Sequence, residues 1–359
     1  MAGILSGNPH IDLLAGQLDV EWMAIRKAQD NTVQRRRELE KLFRQRSATD
    51  TSIVVFGSVA RQEVTCSSDL DWILLLDGPA IPEHKEQERE VERALASRHF
   101  AEPGKSGVFG RMVGSHDLIH NIGGEDDRNS NTTRRVLLLL ESLPIGNREA
   151  YDRVRRQVIR RYLRDDRGLL YGGRNVRIPR FLLNDFTRYW RTITVDFVYK
   201  QRTDDKKWAL RNAKLRMSRK LIFAAGLMHC FFCHLDSAAA EAINLAKSDA
   251  KDVSLLTAYL EDQLALPPLE VMAKACVQLN IAQETSRSLF DSYNRFLLIM
   301  DDPERRSELQ RTHTHEDLRQ SKVWKEMGGI SRQFHQSLVT LFLKGNESLC
   351  ELTMEYGLF

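Results

Sequence analysis

The sequence predicts an α+β protein in which a small mixed sheet near the N-terminus is followed by an all-helical bundle. Two short apolar runs, Ile53 to Phe56 and Trp72 to Leu76, have the length of strands and are bounded by turn-forming residues. From Asn147 onward, apolar residues recur at spacings of three and four, as in helices that bury one face. No period of roughly twenty to fifty residues repeats, so these helices form a bundle rather than a solenoid. The chain divides accordingly into an N-terminal unit of residues 1–145 and a helical unit of residues 146–359.

In chain order, residues 17–46 read as one long polar helix whose incomplete apolar stripe, including Leu18, Trp22, Ile25, Leu39 and Phe43, packs against the rest of the N-terminal unit. The strand at 53–56 ends at Gly57-Ser58, a pair suited to a tight turn, and Val59 to Glu63 begins a short helix. Ser68-Asp69-Leu70-Asp71 leads into the strand at 72–76. Residues two apart on a strand share a face, so Asp69 and Asp71 project side by side while Leu70 turns into the core. Asp77-Gly-Pro-Ala-Ile-Pro82 is a turn cluster, and the charged helix from Glu83 to Arg98 turns Val91 and Leu95 inward. Val108 to Val113 forms a third strand. Asn131 then caps a helix whose first turns hold Arg134 and Arg135, where the helix dipole disfavours cations, which leaves open a phosphate contact, an acidic neighbour or plain solvation of both. Val136 to Leu140 is apolar all round and buried. Tyr151, Val154, Val158 and Tyr162 oppose the arginines of the next helix. Further helices follow at 180–201, 206–235, 237–247, 252–264, 268–279, 282–300, 315–326 and 330–355, with Gly328-Gly329 marking a break.

Composition narrows the class. The 359 residues are 42% hydrophobic and 28% charged, which is globular. The opening Met-Ala-Gly-Ile-Leu-Ser lacks a basic segment followed by a long apolar one, which predicts a cytoplasmic protein with no membrane attachment. Five scattered cysteines, Cys66, Cys230, Cys233, Cys276 and Cys350, form no disulfide framework. A net charge of +4 neither demands nor excludes nucleic acid, yet the segments from Arg153 to Arg164 and from Lys206 to Lys220 concentrate positive charge that would attract a phosphate-bearing ligand. No motif specifies the oligomeric state.

The residues from Gly57 to Asp71 outline a phosphate-and-metal site. Gly57 lets backbone approach a ligand closely, Ser58 adds a hydroxyl, and the turn that follows presents N–H groups to an anion. Two adjacent carboxylates repel each other unless a cation lies between them, and Mg²⁺ (or Mn²⁺) held by Asp69 and Asp71 together with substrate phosphates meets that need. The pattern Gly-Ser-x-x-Arg-x-Glu, then Ser-Asp-x-Asp, carried here by Gly57, Ser58, Arg61, Glu63, Ser68, Asp69 and Asp71, resembles the nucleotidyltransferase superfamily typified by DNA polymerase β. Within it, the pattern looks most like the bacterial branch of PII-uridylyltransferase and glutamine-synthetase adenylyltransferase domains. The resemblance covers residues 50–77 and is thin beyond.

It implies a nucleotidyltransferase domain at 1–145, a substrate-binding helical domain at 146–359, and transfer of a nucleoside monophosphate from an NTP to an acceptor hydroxyl with loss of pyrophosphate. Asp69 and Asp71 are then catalytic metal ligands, and Gly57, Ser58, Arg61 and Ser68 bind nucleotide. A basic residue of the helical domain commonly touches the triphosphate, and Arg211 or Lys214 is expected in that role. Members also carry a third carboxylate on or near the third strand. The strand at 108–113 has none, so the role falls to Asp117, with Asp126, Asp127 and Glu141 behind it. The preferred acceptor is a protein. An RNA or tRNA 3′ end contacted through Arg155, Arg156 and Arg160 comes second, a second nucleotide or a small hydroxylated molecule third, and a toxin or antiviral effector could use any of these. A nucleotide-binding regulator without catalysis belongs to a different class. Two other motifs carry no function: Cys230-Phe-Phe-Cys233-His234, haem-like but on an apolar helix, and the loop with His313 and His315.

Overall fold

The computed structural model describes residues 9–44, 48–98, 107–173, 177–203, 207–248 and 252–357. It is an α+β fold with one four-stranded mixed sheet: β1 (Thr51–Phe56), β2 (Trp72–Leu76), β3 (Arg111–Gly114) and β4 (Ser142–Ile145), in the order β3-β2-β1-β4. β1 is antiparallel to both β2 and β4, and β2 is parallel to β3. The helices are α1 (Pro9–Leu18), α2 (Met23–Phe43), α3 (Pro82–Ser97), α4 (Ser115–His120), α5 (Asn129–Leu140), α6 (Glu149–Asp165), α7 (Arg167–Tyr171), α8 (Arg180–Thr203), α9 (Trp208–Lys214), α10 (Lys220–Leu235), α11 (Ser237–Ser248), α12 (Ser254–Gln263), α13 (Pro268–Gln278), α14 (Gln283–Asp301), α15 (Pro303–Arg311), α16 (His315–Gln320), α17 (Lys322–Lys344) and α18 (Glu347–Leu352). A π-helical turn, Leu215–Arg219, joins α9 to α10, and another, Thr353–Gly357, follows α18. Among the described residues no single helix is long and apolar enough to cross a membrane.

The continuous apolar character of β1 and β2 has a direct cause. Alternate side chains enter two different cores, Val54, Phe56, Ile73 and Leu75 on one face and Ile53, Val55, Trp72 and Leu74 on the other. The second face is covered by Leu39 and Phe43 of α2 and by Val91 and Leu95 of α3. The first face joins a much larger core that runs on through the helices and includes Ile11, Phe186, Met272 and Phe334. Each such side chain contributes about 1.5–3 kcal/mol on burial.

Several boundaries differ from the sequence reading. The helix expected over 17–46 is broken: Asp19 adopts a left-handed conformation (φ 50°), and α2 restarts at Met23. Trp22 anchors that break, donating from Nε1 to Asp291 Oδ1 (2.8 Å) and stacking on Phe290. Val59 to Glu63 makes only a hydrogen-bonded turn, because Gln62 has a left-handed φ of 61°. β3 begins at Arg111 rather than at 108, and α5 begins at Asn129 with Arg128, not Asn131, at its N-cap. Gly328 and Gly329 lie inside α17. The break falls instead at Ser321, whose hydroxyl caps Trp324 N–H (3.0 Å).

Of the alternatives that its helix position leaves open, Arg135 has acidic neighbours. It is fully buried and bidentate to Asp127 (Nη1–Oδ1 3.1 Å, Nη2–Oδ2 2.9 Å), with a further bond to Asp185 Oδ2 (2.6 Å). Arg188 donates to Asp127 as well (2.5 Å), and Tyr162 to Asp185, so α5, α6 and α8 share one ionic knot. Arg134 instead holds the backbone carbonyls of Gly107 and Val108, both at 2.8 Å. Burial alone would raise the Asp127 carboxyl, but the hydrogen bonds from Arg135, Gly123 and Arg188 outweigh it and hold it down at about 2. A depressed native pKa means stability that is present above the ordinary carboxylate range and lost as pH falls toward 2. Asp127→Asn is therefore expected to lose about 3–5 kcal/mol at pH 7, by leaving Arg135 under-compensated. Its urea-unfolding free energy should also vary less than the wild type's between pH 4 and pH 2.

Candidate active site

The end of β1 delivers the site. Phe56 N–H donates to the Asp71 carbonyl (2.9 Å), so the strand pairing continues one residue beyond β2 and sets Asp71 beside the Gly57 turn. Gly57 has φ +70°, a conformation that strains any L side chain, and a Cβ there would lie 3.6 Å from Asp71 Oδ2. The turn closes through Arg61 N–H to Gly57 O (3.0 Å) and Glu63 N–H to Ser58 O (2.8 Å). Asp69 and Asp71 therefore lie in an extended segment just ahead of β2 rather than within it, with Leu70 buried between them as the alternation requires. Ser68 closes the loop before them, its hydroxyl accepting Thr65 N–H (2.9 Å).

One cleft gathers Gly57, Ser58, Arg61, Ser68, Asp69 and Asp71 from the first half of the chain. Its opposite wall is Lys214 at the end of α9, Ser218 and Arg219 on the π-turn, Phe296, Leu297 and Met300 of α14, and Arg306 of α15. The π-turn changes the helix pitch at the point where it meets the cleft, a feature frequent at functional sites. Lys214 Nζ lies 3.7 Å from Asp69 Oδ1. Arg306 fastens the loop ahead of Asp69 by donating to Ser67 O (2.6 Å), while Cys66 N–H binds Asp301 Oδ1 (2.8 Å). Arg211 is on α9 but does not line the cleft.

The charges are out of balance in a way that asks for a ligand. Burial, and then the neighbouring Asp69, push the Asp71 carboxyl up to about 6. Burial works the same way on Asp69, but Lys214 overrides it and lowers that carboxyl. Lys214 is itself lowered, by burial and by the nearby Arg306 and Arg219. Two polar atoms of the cleft residues, Ser58 Oγ and Arg306 Nε, are buried with no hydrogen-bond partner. A polyphosphate with a divalent cation fits these unmet demands, offering oxygens to the hydroxyl and cations and positive charge to the two carboxylates. Among the described residues no group of three or more His, Cys, Asp or Glu is arranged to hold a metal. The adjacent cleft carboxylates that would hold a cation, if one binds with the phosphates, are Asp69 and Asp71.

A salt-bridge chain lies beneath the cleft. Arg61 Nε donates to Glu63 Oε2 (2.9 Å) and Nη1 to Glu141 Oε2 (2.5 Å). Tyr293 of α14 donates to Glu63 Oε1 (2.8 Å), and Arg219 Nη1 lies 3.3 Å from both Glu141 Oε1 and Tyr189 Oη. The guanidinium of Arg61 is therefore engaged below the turn. Sequence reasoning placed neither Arg219 nor Arg306 in the site. Arg219 falls in the basic segment ending at Lys220, whereas nothing local marks Arg306.

None of the candidates for a third carboxylate lines the cleft, although the charge of Glu141 reaches Asp71. β2 and β3 are parallel with Ile73 opposite Arg111 and Leu76 opposite Gly114, so Asp117, which follows Gly114, stands at the far end of the sheet from Asp71. It is exposed and accepts a bond from Asn121 (3.1 Å). Asp126 is exposed, Asp127 belongs to the Arg135 knot, and Glu141 to the chain under the turn. The strand position nearest the carboxylates carries Arg111. Glu141→Ala is expected to cost about 3–5 kcal/mol by stripping Arg61 and Arg219 of a buried counter-charge. Asp69→Asn, at the cleft surface, should shift stability by no more than about 1 kcal/mol. Chemical denaturation of the two variants checks this contrast.

Residues 36–101, which span the end of α2, the turn and the paired aspartates, match the family model of the nucleotidyltransferase domain. No curated protein and no solved structure gives a significant match. The chain thus carries, over residues 36–101, a nucleotidyltransferase domain of the polymerase β-like superfamily.

Proposed function

We propose that the protein transfers a nucleoside monophosphate from an NTP to an acceptor hydroxyl in the cleft between the Gly57 turn and Lys214. The observation that carries this reading is the convergence of Asp69, Asp71 and the unpartnered Ser58 hydroxyl with three cations from the helices. Asp69 and Asp71 would hold Mg²⁺ or Mn²⁺, which when bound neutralises phosphate charge and polarises the reacting phosphoryl group. Ser58 Oγ and the backbone of the turn donate to the β- and γ-phosphates. Lys214, Arg219 and Arg306 balance the charge of the leaving pyrophosphate, and Phe296, Leu297 and Met300 offer an apolar wall to the base. The acceptor oxygen bonds to the α-phosphorus, the bond from that phosphorus to the α–β bridging oxygen breaks, pyrophosphate departs with that oxygen, and the acceptor's proton is released to water. Catalysis rests on positioning and charge neutralisation.

The acceptor we favour is a protein side chain. Two of the arginines the sequence offers for RNA are occupied internally: Arg155 donates to Glu261 O (3.2 Å) and Leu139 O (3.4 Å), and Arg156 embraces the Glu261 carboxylate (3.1 and 3.0 Å). That leaves the segment from Arg153 to Arg164 with less charge for a phosphodiester backbone.

Incubation with each NTP labelled at the α-phosphate, Mg²⁺ and a cell extract should label protein. Asp69→Asn and Asp71→Asn should each reduce labelling at least about a hundredfold with folding intact. Lys214→Ala should raise the KM for NTP about tenfold. Labelling that persists in both aspartate variants sinks the assignment of the site, and label found only in RNA sinks the choice of acceptor.

A further inference from the structure

A second concentration of positive charge lies outside the cleft, on the same continuous helix that carries Lys214 and Arg219. Arg216 of the π-turn and Lys220 of α10 are four residues apart, and they meet Arg332 and His335, three residues apart on α17. Lys220 Nζ lies 3.4 Å from His335 Nδ1 and donates to it. Like charges at such spacings on a helix repel, and the guanidinium of Arg332 facing them compounds the cost. Among the described residues no carboxylate forms an ion pair with Arg216, Lys220 or Arg332. Two other half-buried cations, Arg188 and Arg219, by contrast face acids. None of the four residues lines the cleft.

We propose that Arg216, Lys220, Arg332 and His335 form a second anion site, for a phosphate-bearing ligand, on the helix that supplies the cleft with Lys214 and Arg219. Two guanidinium groups, an ammonium and an imidazole match the several oxygens of a phosphate chain, with Arg216 and Lys220 half-buried and Arg332 and His335 exposed to receive it. The ligand chemistry is common to a free polyphosphate, as in a nucleotide, and to the backbone of a single-stranded RNA. Burial and the neighbouring Lys220 and Arg216 lower the His335 imidazole, so an anion bound among them raises it again.

The test uses the full chain with EDTA present, titrated in one arm with inorganic tripolyphosphate and in the other with a short single-stranded oligoribonucleotide. Binding is followed by calorimetry and by the NMR titration of the His335 ring. The wild type and Lys214→Ala are expected to bind one of the two ligands with salt-sensitive affinity and an upward shift of the His335 titration. Arg216→Ala/Lys220→Ala/Arg332→Ala, with an unchanged circular dichroism spectrum, should bind it at least about tenfold more weakly. Preference for tripolyphosphate names the soluble source and preference for the oligonucleotide names RNA. An unmoved His335 titration in both arms, or equal affinity in the triple variant, overturns the proposal. The outcome is independent of whether transferase activity is found, because no turnover is measured.

Discussion

The fold around the cleft depends on the buried chain Tyr293–Glu63–Arg61–Glu141–Arg219–Tyr189. A Gly-Ser turn after a strand is by itself a pliable element. Here Arg61, four residues past Gly57, is fixed by two carboxylates, one in its own loop and one at the start of β4. Those carboxylates are fixed in turn by α14 and by the π-turn after α9. The arrangement joins the sheet to the helices at the point where Asp69 and Asp71 must face Lys214. Burying so many charges is costly, and such knots are tolerated when every member is paired and geometry is the gain. Arg-x-Glu after Gly-Ser is thus explained as scaffolding for the turn.

The site contrasts with that scaffold in how far its own demands are met. Glu63 and Glu141 have full sets of partners, whereas Asp71 lies beside the like charge of Asp69, and Ser58 Oγ and Arg306 Nε have none. Unmet polar demand is one mark of a place where a ligand can complete a structure, and in the cleft it coincides with two adjacent carboxylates. The same contrast separates the carboxylates that hold the protein together from those left for chemistry, a distinction that residue type alone does not make.

The sheet and the placement of the two aspartates beside the Gly57 turn were legible because their signals are local. Two apolar runs, a Gly-Ser turn and carboxylates in strand phase occupy fewer than thirty consecutive residues, and each constrains the next. The helical half was legible as helices, through spacing, but their ends were less so. The restart at Met23 depends on Trp22 reaching Asp291, and the uninterrupted course of α17 through Gly328-Gly329 depends on tertiary packing that overrides propensity. Lys214 was within reach since a basic segment announces it, and Arg306 was not, since only the fold brings α15 over the loop at Ser67. Asp117 drew attention by lying close in sequence after the third strand. The parallel register of β2 and β3 carries it to the wrong end of the sheet.

The most direct test of the account is the position of a metal and a nucleotide in the cleft. Crystals grown with Mn²⁺ and an NTP whose α–β bridge cannot be cleaved should show an anomalous peak coordinated by Asp69 and Asp71, with the β- and γ-phosphates against Ser58 and the cations of Lys214 and Arg219. Nucleotide bound away from the Gly57 turn, or metal held without either aspartate, would contradict it.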